Sequence, residues 1–206
     1  MKPATIDRLL LDGIAGKIEV DVSDPGVSPD GQRRGIALIA HPHPLMGGTK
    51  DNKVVTTLAR TFNALGYVAL RPNFRGVGAS AGLHDEGRGE TTDLISVARY
   101  AEDKYGALPL VCAGFSFGSF VQTRVAKVLN PEQLVLVAPA VNRFLTEHVA
   151  AGTLVVHGEL DEVVPLTAVF DWARPQNLAV VVVPGGEHFF HGRLHQLHDI
   201  VTRHCR

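Results

Sequence analysis

The sequence has 206 residues, 45% of them apolar, and its 20 basic and 21 acidic side chains leave a formal net charge of −1. This length and apolar content predict a single domain, residues 1–206, with a buried core of its own. A nearly neutral chain without a run of basic residues has no general attraction for nucleic acid or an anionic membrane, so we expect neither as a partner.

The chain start and the cysteines favour a cytoplasmic protein. The first thirteen residues, MKPATIDRLLLDG, lack the apolar stretch of a signal peptide, and no window reaches the roughly 20 apolar residues of a membrane-spanning helix. Cys112 lies inside an apolar run and Cys205 is the penultimate residue, which does not suggest a disulfide scaffold. We expect a monomer or a homodimer that uses no cofactor.

Short β-branched runs alternate with longer segments of helical period along the chain. Seven runs are predicted as strands: Ile18–Val22, Ile36–Ala40, Tyr67–Arg71, Leu108–Ala113, Leu134–Ala138, Thr153–His157 and Ala179–Val183. Most are continuously apolar, as parallel strands covered on both faces are. The first, IEVDV, alternates as an antiparallel edge strand does, and the SDPGVSPDGQ that follows is predicted to be an exposed loop.

Five intervening segments are predicted as helices: Asn52–Leu65, Glu90–Tyr105, Ser116–Leu129, Val164–Ala173 and His188–Cys205. The first two carry an apolar stripe and stop at a glycine, Gly66 and Gly106, which indicates a helix C-terminus. The regular succession predicts an α/β fold with a mostly parallel sheet of about seven strands, helices on both faces and an antiparallel N-terminal edge strand.

The segment LPLVCAGFSFGS contains a G-x-S-x-G pattern centred on Ser116, between a buried strand and an amphipathic helix. In that setting a serine sits on a strained turn with its hydroxyl exposed, and its neighbours must be small. The helix that follows points its N-terminal N–H groups at a developing oxyanion. Ser116 is therefore the candidate nucleophile; an ordinary glycine-rich turn is the alternative.

Candidates for an acid and a base follow in the expected order, each after a later strand. Asp161 lies in the loop after TLVVHG, and we favour it over Glu159, nearer the strand, and Glu162, toward the next helix. His188 follows two glycines at the end of the next strand, although it could also be a surface histidine at a helix start. The ordered set of three predicts a triad of nucleophile, acid and base.

A zinc site is the alternative for the histidines. His41 and His43 form one cluster, and His188, His191, His195 and His198 are spaced by three, four and three residues. Zinc needs three or four converging ligands, and no cysteine or carboxylate is spaced beside these histidines. A solvated helix face explains the last three more simply, so we predict no metal.

Several segments together resemble the α/β-hydrolase superfamily over essentially the full chain. These are IALIAHPHPLMGGTKDNKVV, RPNFRGVGASAG, GFSFGS, HGELDEVVP and GGEHFF. The sequence is most similar to small, lidless bacterial serine hydrolases with HPHP and RGVG motifs, described as esterases or as serine-aminopeptidase-like proteins. The resemblance is specific for fold and triad and says little about substrate.

Acyl transfer by such an enzyme needs two backbone N–H donors for the oxyanion, and one is expected from Phe117, directly after the nucleophile. The other is expected from the loop that begins at His41. Relatives carry His-Gly there, whereas this chain has Pro42, and neither Pro42 nor Pro44 has an N–H. His43 is the better remaining donor and Leu45 the second choice; Leu45 is also expected to bind substrate.

We therefore expect a serine hydrolase of the carboxylesterase type that cleaves small acyl esters or thioesters. An aminopeptidase or amidase with the same triad and a non-catalytic binding protein of the same fold are the alternatives. Only Val141–Gly152, about one short helix, stands where relatives insert a cap, so an open, shallow site is expected.

Overall fold

One sheet of eight strands organises the chain in a computed structural model, which describes residues 5–27 and 32–206. The strands are Thr5–Gly13 (β1), Gly16–Asp24 (β2), Gly35–Ala40 (β3), Tyr67–Pro72 (β4), Leu110–Phe115 (β5), Gln133–Val137 (β6), Leu154–Gly158 (β7) and Val180–Val183 (β8). The α-helices are Lys53–Ala64 (α1), Arg88–Tyr105 (α2), Phe117–Leu129 (α3), Leu166–Ala173 (α4) and Leu194–His204 (α5).

The strands lie in the order β1-β2-β4-β3-β5-β6-β7-β8. The pairs β1–β2 and β2–β4 are antiparallel, and every other pair is parallel. The carboxyl ends of β3, β5, β7 and β8 therefore reach the same edge of the sheet. Ligand-binding crevices of open α/β sheets form at this edge.

Alternate residues of the central strands enter two separate hydrophobic cores. In β3, for example, Leu38 packs with the core that α2, α3 and α4 cover, while Ile39 packs with the core under α1 and α5. Both side chains are fully buried. This two-sided burial explains why the parallel strands are continuously apolar in sequence. The α/β architecture predicted from the sequence is confirmed.

The predicted edge strand is wrong in one respect. Ile18–Val22 lies in β2, the second strand, and the edge is β1, which pairs with β2 from Thr5↔Asp24 to Gly13↔Gly16. The sheet thus has eight strands rather than about seven. The signal for the missed strand was a pair of glycines, Gly13 and Gly16, on either side of a two-residue hairpin turn.

The alternation of IEVDV also has a different cause. Asp21 of β2 is buried, and its carboxylate lies 3.1 Å from the Lys50 ammonium and 3.2 Å from the Arg71 guanidinium. The polar positions of the strand therefore serve an internal ion-pair cluster rather than a solvated edge. Buried charges persist when they are paired in this way.

Helix ends agree with the sequence prediction except near the C-terminus. Helices α1 and α2 stop before Gly66 and Gly106, both at positive φ. Helix α5 begins at Leu194, not at His188, because residues 184–193 form successive turns with Phe190 at φ 54°. In the part of the chain that the structure describes, no helix is long and apolar enough to cross a membrane.

Two further expectations about loops need correction. Val141–Gly152 forms turns and irregular structure in place of the short helix. The loop expected at SDPGVSPDGQ begins later, because β2 extends to Asp24, and its residues 28–31 lie outside the described residues.

The ends of β7 and the turn after β8 are in direct backbone contact. A Cβ built on Gly158 would lie 2.4 Å from the Gly186 carbonyl oxygen and 2.9 Å from that of Glu187. The Leu160 N–H also donates to the Gly186 carbonyl at 2.8 Å. These contacts hold the loop of Asp161 against the turn of His188. The close approach requires glycine at position 158.

We predict that Gly158→Ala lowers the free energy of unfolding by about 1–3 kcal/mol, the range for overpacking, because the new methyl group meets backbone atoms that cannot move independently. Gly152→Ala is the matched control: nothing lies within 4 Å of its Cβ position. Its effect should stay within about 0.5 kcal/mol. Urea unfolding of both variants measures this, and equal stability of the two would contradict the contact.

Candidate active site

The turn between β5 and α3 holds Ser116 in a strained conformation, with φ 56° and ψ −116°. Its flanking glycines allow the turn to close. A Cβ on Gly114 would lie 2.5 Å from the Gly118 carbonyl oxygen, and one on Gly118 would lie 2.4 Å from that of Ala40. The G-x-S-x-G pattern therefore marks a serine on a strained strand-to-helix turn, the geometry that exposes a nucleophilic hydroxyl.

The structure brings the three predicted residues into one hydrogen-bonded line. His188 Nε2 lies 3.1 Å from Ser116 Oγ, and His188 Nδ1 lies 2.7 Å from Asp161 Oδ2. All three residues are more than 90% buried. With Nδ1–H donated to the carboxylate, Nε2 is left as the acceptor that faces the serine hydroxyl.

The Asp161 carboxylate is fixed on both oxygens. Oδ1 accepts from the N–H groups of Val163 and Val164, at 2.9 and 2.8 Å, while Oδ2 faces His188. Burial by itself raises the pKa of Asp161, but the hydrogen bonds from His188 and Val164 outweigh it and leave the pKa below its usual value. Asp161 is thus an ionised, oriented acceptor at neutral pH.

Two backbone N–H groups near Ser116 are available to a ligand. Among the residues described, neither Phe117 N nor His43 N has a hydrogen-bond acceptor, and both residues line the same cavity as Ser116. The Leu45 N–H instead faces His43 Nδ1 at 3.2 Å. The side chain of Leu45 is 72% exposed and lies outside the cavity lining. The geometry thus favours His43 over Leu45 as a donor and does not support substrate binding by Leu45.

A cavity of about 300 Å³ opens onto Ser116. Its wall is mainly apolar and is formed by the loop after β3, the turn of Ser116, the loop after β6 and the segments that carry Asp161 and His188. The lining residues are Pro42, His43, Met46, Gly47, Gly48, Asn52, Ser116, Phe117, Ala140, Arg143, Phe144, Val163, Val164, His188 and Phe189. An apolar pocket beside a serine and an imidazole suits a small acyl group.

Comparison with known proteins places the chain in a family. Residues 34–147 match the family described as serine aminopeptidase, S33. The chain belongs to this family. An α/β serine hydrolase homologue from Coxiella burnetii has 40% sequence identity and a TM-score of 0.88, with 97% of each chain covered.

A second solved structure shows the same compact form. It is an α/β serine hydrolase without a lid from Xanthomonas campestris, with 38% identity, a TM-score of 0.90, and coverage of 100% of this chain and 96% of that one. An uncharacterized protein of Rickettsia prowazekii is 39% identical over 111 residues, which are 53% of this chain and 43% of that protein. The chain thus spans less than half the length of this curated relative. It is a small lidless α/β-hydrolase.

The hydrolase carries a second buried histidine beside Asp161 that sequence reasoning missed. His157 Nε2 lies 2.9 Å from the Val164 carbonyl oxygen and 3.5 Å from Asp161 Oδ2. Burial lowers the pKa of His157 more than the bond to Val164 and the charge of Asp161 raise it, which keeps the ring neutral. The only sequence signal was a histidine within an otherwise apolar strand.

His41 supports the loop that carries His43. Its Nδ1 lies 2.6 Å from the Pro42 carbonyl oxygen, and its Nε2 accepts from the Phe74 N–H at 2.9 Å. Both ring nitrogens are therefore used by backbone, and the ring is neutral: burial lowers its pKa to about 4. The histidine holds the loop between two strand ends.

The histidines proposed as alternative zinc ligands have other roles. His198 lies on α5 with Nδ1 2.8 Å from Thr61 Oγ1, and so is not simply a solvated side chain. His191 pairs with Glu187 in the turn before the helix. Within residues 5–27 and 32–206, no group of three or more His, Cys, Asp or Glu side chains is arranged to hold a metal ion.

We predict that the neutral His41 ring makes stability depend on pH between 6.5 and 4. The folded-state pKa of about 4 lies below the ordinary 6.5, so the unfolded chain binds the proton first as the pH falls. The contribution is complete above pH 6.5 and is lost toward pH 4, a change of about 3 kcal/mol. Below pH 4 it changes no further.

Denaturant unfolding of the hydrolase and of His41→Gln from pH 7.5 to 4.5 measures this change. The difference in unfolding free energy between the two proteins should shrink as the pH falls. Parallel stability curves across this range would contradict a neutral buried His41.

Proposed function

We propose that the hydrolase cleaves small acyl esters or thioesters through an acyl-enzyme on Ser116. The hydrogen-bonded line from Ser116 through His188 to Asp161, at 3.1 and 2.7 Å beside an apolar cavity, is the observation that carries the proposal. Ser116 Oγ, the two ring nitrogens of His188 and Asp161 Oδ2 lie in the order and at the distances that nucleophilic attack assisted by a general base requires.

In the first half-reaction, Ser116 Oγ attacks the acyl carbon while His188 Nε2 takes the hydroxyl proton. Asp161 holds the Nδ1–H tautomer and stabilises the imidazolium that forms. The N–H groups of Phe117 and His43 donate to the carbonyl oxygen as it gains negative charge, and each such donor is worth about 3 kcal/mol in comparable sites. The bond to the leaving oxygen or sulfur then breaks, and His188 returns the proton to that atom.

The second half-reaction uses water in place of serine. His188 takes a proton from a water molecule as its oxygen attacks the acyl carbon, and the Ser116 Oγ–acyl bond breaks as Oγ is reprotonated. One ester and one water thus give one carboxylic acid and one alcohol, or a thiol from a thioester. The net reaction needs no cofactor.

An aminopeptidase is the second candidate, because the matching family is described as serine aminopeptidase. Such an enzyme must hold the charged amino group of its substrate, for which a carboxylate is the natural partner. None of the described residues that line the cavity is Asp or Glu, and Arg143 brings a positive charge instead. This charge distribution favours the ester over the free-amine substrate.

We also propose a cytoplasmic location. Cys112 and Cys205 are both free and buried, as thiols of proteins from reducing compartments are. Burial raises the pKa of Cys112 to about 12 and that of Cys205 to about 11, which keeps both thiols protonated and unreactive.

The decisive prediction concerns the serine. Ser116→Ala should reduce turnover of 4-nitrophenyl butyrate to background while circular dichroism shows an intact fold, since the variant has no nucleophile. A fluorophosphonate probe should label the parent protein and not this variant. Ser96→Ala, in which the serine lies on α2 outside the cavity lining, is the matched control and should keep full activity. Undiminished turnover by Ser116→Ala would refute the mechanism.

A second set of substrates distinguishes the esterase from the aminopeptidase. Aminoacyl 4-nitroanilides with a free amine should be cleaved far more slowly than the butyrate ester, because the cavity offers no carboxylate to the ammonium group. Cleavage of these anilides at rates comparable to the ester would favour the aminopeptidase.

A further inference from the structure

The wall of the Ser116 cavity carries an unpaired cation. Arg143 lines the cavity, and among the described residues no carboxylate forms an ion pair with it. Glu147, four residues further along the chain, pairs with another cation: its carboxylate lies 2.6 Å from the Lys127 ammonium. Arg143 therefore brings to the cavity wall a positive charge that no described carboxylate neutralises.

The backbone of Arg143 is fixed from both sides. On one side, Asn142 Nδ2 donates to the Val163 carbonyl oxygen at 3.1 Å and ties this loop to the Asp161 loop. On the other side, the Phe144 ring stacks on Phe120 at 4.9 Å and packs against Phe117 at 5.1 Å. Arg143 N and Phe144 N both donate to the Ala140 carbonyl. The arginine therefore stands at a defined place beside the nucleophile turn rather than on a free loop.

The described lining of the cavity carries positive charge, on Arg143, and no negative charge. The described lining includes no Asp or Glu, and Asp161 is screened from the cavity behind His188. His43, which also lines the cavity, is neutral: burial and then its neighbour His84 lower its pKa, and the charge of Arg143 acts in the same direction. Glu90, which opposes this effect, is buried against His84 at 2.9 Å. Among the described lining residues, Arg143 is thus the one that presents a full positive charge to a bound substrate.

We propose that Arg143 selects esters that carry an anionic group, a carboxylate or sulfonate type of oxyanion, at a distance from the scissile bond. This inference rests on the proposed esterase function and adds the substrate class to it. A guanidinium binds such oxyanions through paired N–H groups. Its partial exposure to solvent limits the gain and makes it sensitive to salt.

Matched substrate pairs test this proposal at both ends of the ester. For the acyl side, the pair is mono-4-nitrophenyl adipate and its neutral methyl ester. For the alcohol side, the pair is 4-butanoyloxybenzenesulfonate and phenyl butyrate. The readout is the ratio of kcat/KM for the anionic and the neutral member of each pair, so a general loss of activity or stability cancels.

Arg143→Gln should lower one of the two ratios about fivefold relative to the parent protein. This is the limit expected for one exposed charge pair. Arg143→Glu should lower it further and Arg143→Lys should keep part of it. The effect should shrink at 1 M salt. The pair that responds identifies whether the anion belongs to the acyl or to the alcohol part.

Arg203→Gln is the matched control, because it removes the same charge from an exposed position on α5 outside the cavity lining. It should leave both ratios unchanged. If the hydrolase cleaves the neutral esters but neither ratio responds to Arg143→Gln, the inference on Arg143 is wrong while the esterase proposal stands. If neither neutral nor anionic ester is cleaved and the fluorophosphonate does not label Ser116, both proposals fail together.

Discussion

Direct contact between backbone segments at the carboxyl edge of the sheet is the constraint on which the site depends. Gly118 brings the start of α3 against the end of β3, and Gly158 brings the end of β7 against the turn after β8. At neither position is there space for a Cβ atom. The first contact joins the turn of Ser116 to the loop that begins at His41, and the second joins the loop of Asp161 to the turn of His188. The side chains of the triad meet because these main-chain segments do.

Polar support behind the site is as specific as the packing. One ring nitrogen of His41 bonds the backbone of its own loop at Pro42, and the other accepts from the Phe74 N–H after β4. Asp161 receives two N–H groups on the oxygen that does not face His188. Groups that are fully bonded in a low-dielectric interior lose little orientation when charge appears on the neighbouring imidazole. These bonds fix the Asp161 carboxylate and the loop of His43 in position around Ser116.

Much of this arrangement was predictable because its signals are local. Parallel strands buried on both faces leave uninterrupted β-branched runs, and the strained turn of Ser116 requires a glycine on each side. The prediction that Asp161 and His188 lie beside Ser116 followed from their order after successive strands. Each of these signals depends on residues that are close in sequence. The structure places the side chain of His188 within hydrogen-bond distance of both Ser116 and Asp161.

The misses share a different origin: each depends on contacts between distant parts of the chain. Strand β1 is mixed in polarity and is a strand because it pairs with β2. In the sequence Asp21 resembles a solvated residue, because its ion-pair partners Lys50 and Arg71 lie far along the chain. Helix α5 was extended too far toward His188 because its apolar period continues into a segment that Phe190, at positive φ, turns away. Arg143 carried no motif at all.

Because the hydrolase has no lid, the loop of residues 139–152 itself forms part of the cavity wall. It is anchored to the Asp161 loop through Asn142 and to α3 through the Phe144 ring, which stacks on Phe120. Arg143, proposed to select the substrate, therefore lies on a different segment from Ser116, Asp161 and His188. Substitutions at exposed positions of this loop can change the cavity wall between related proteins while Ser116, Asp161 and His188 keep their places at the sheet edge.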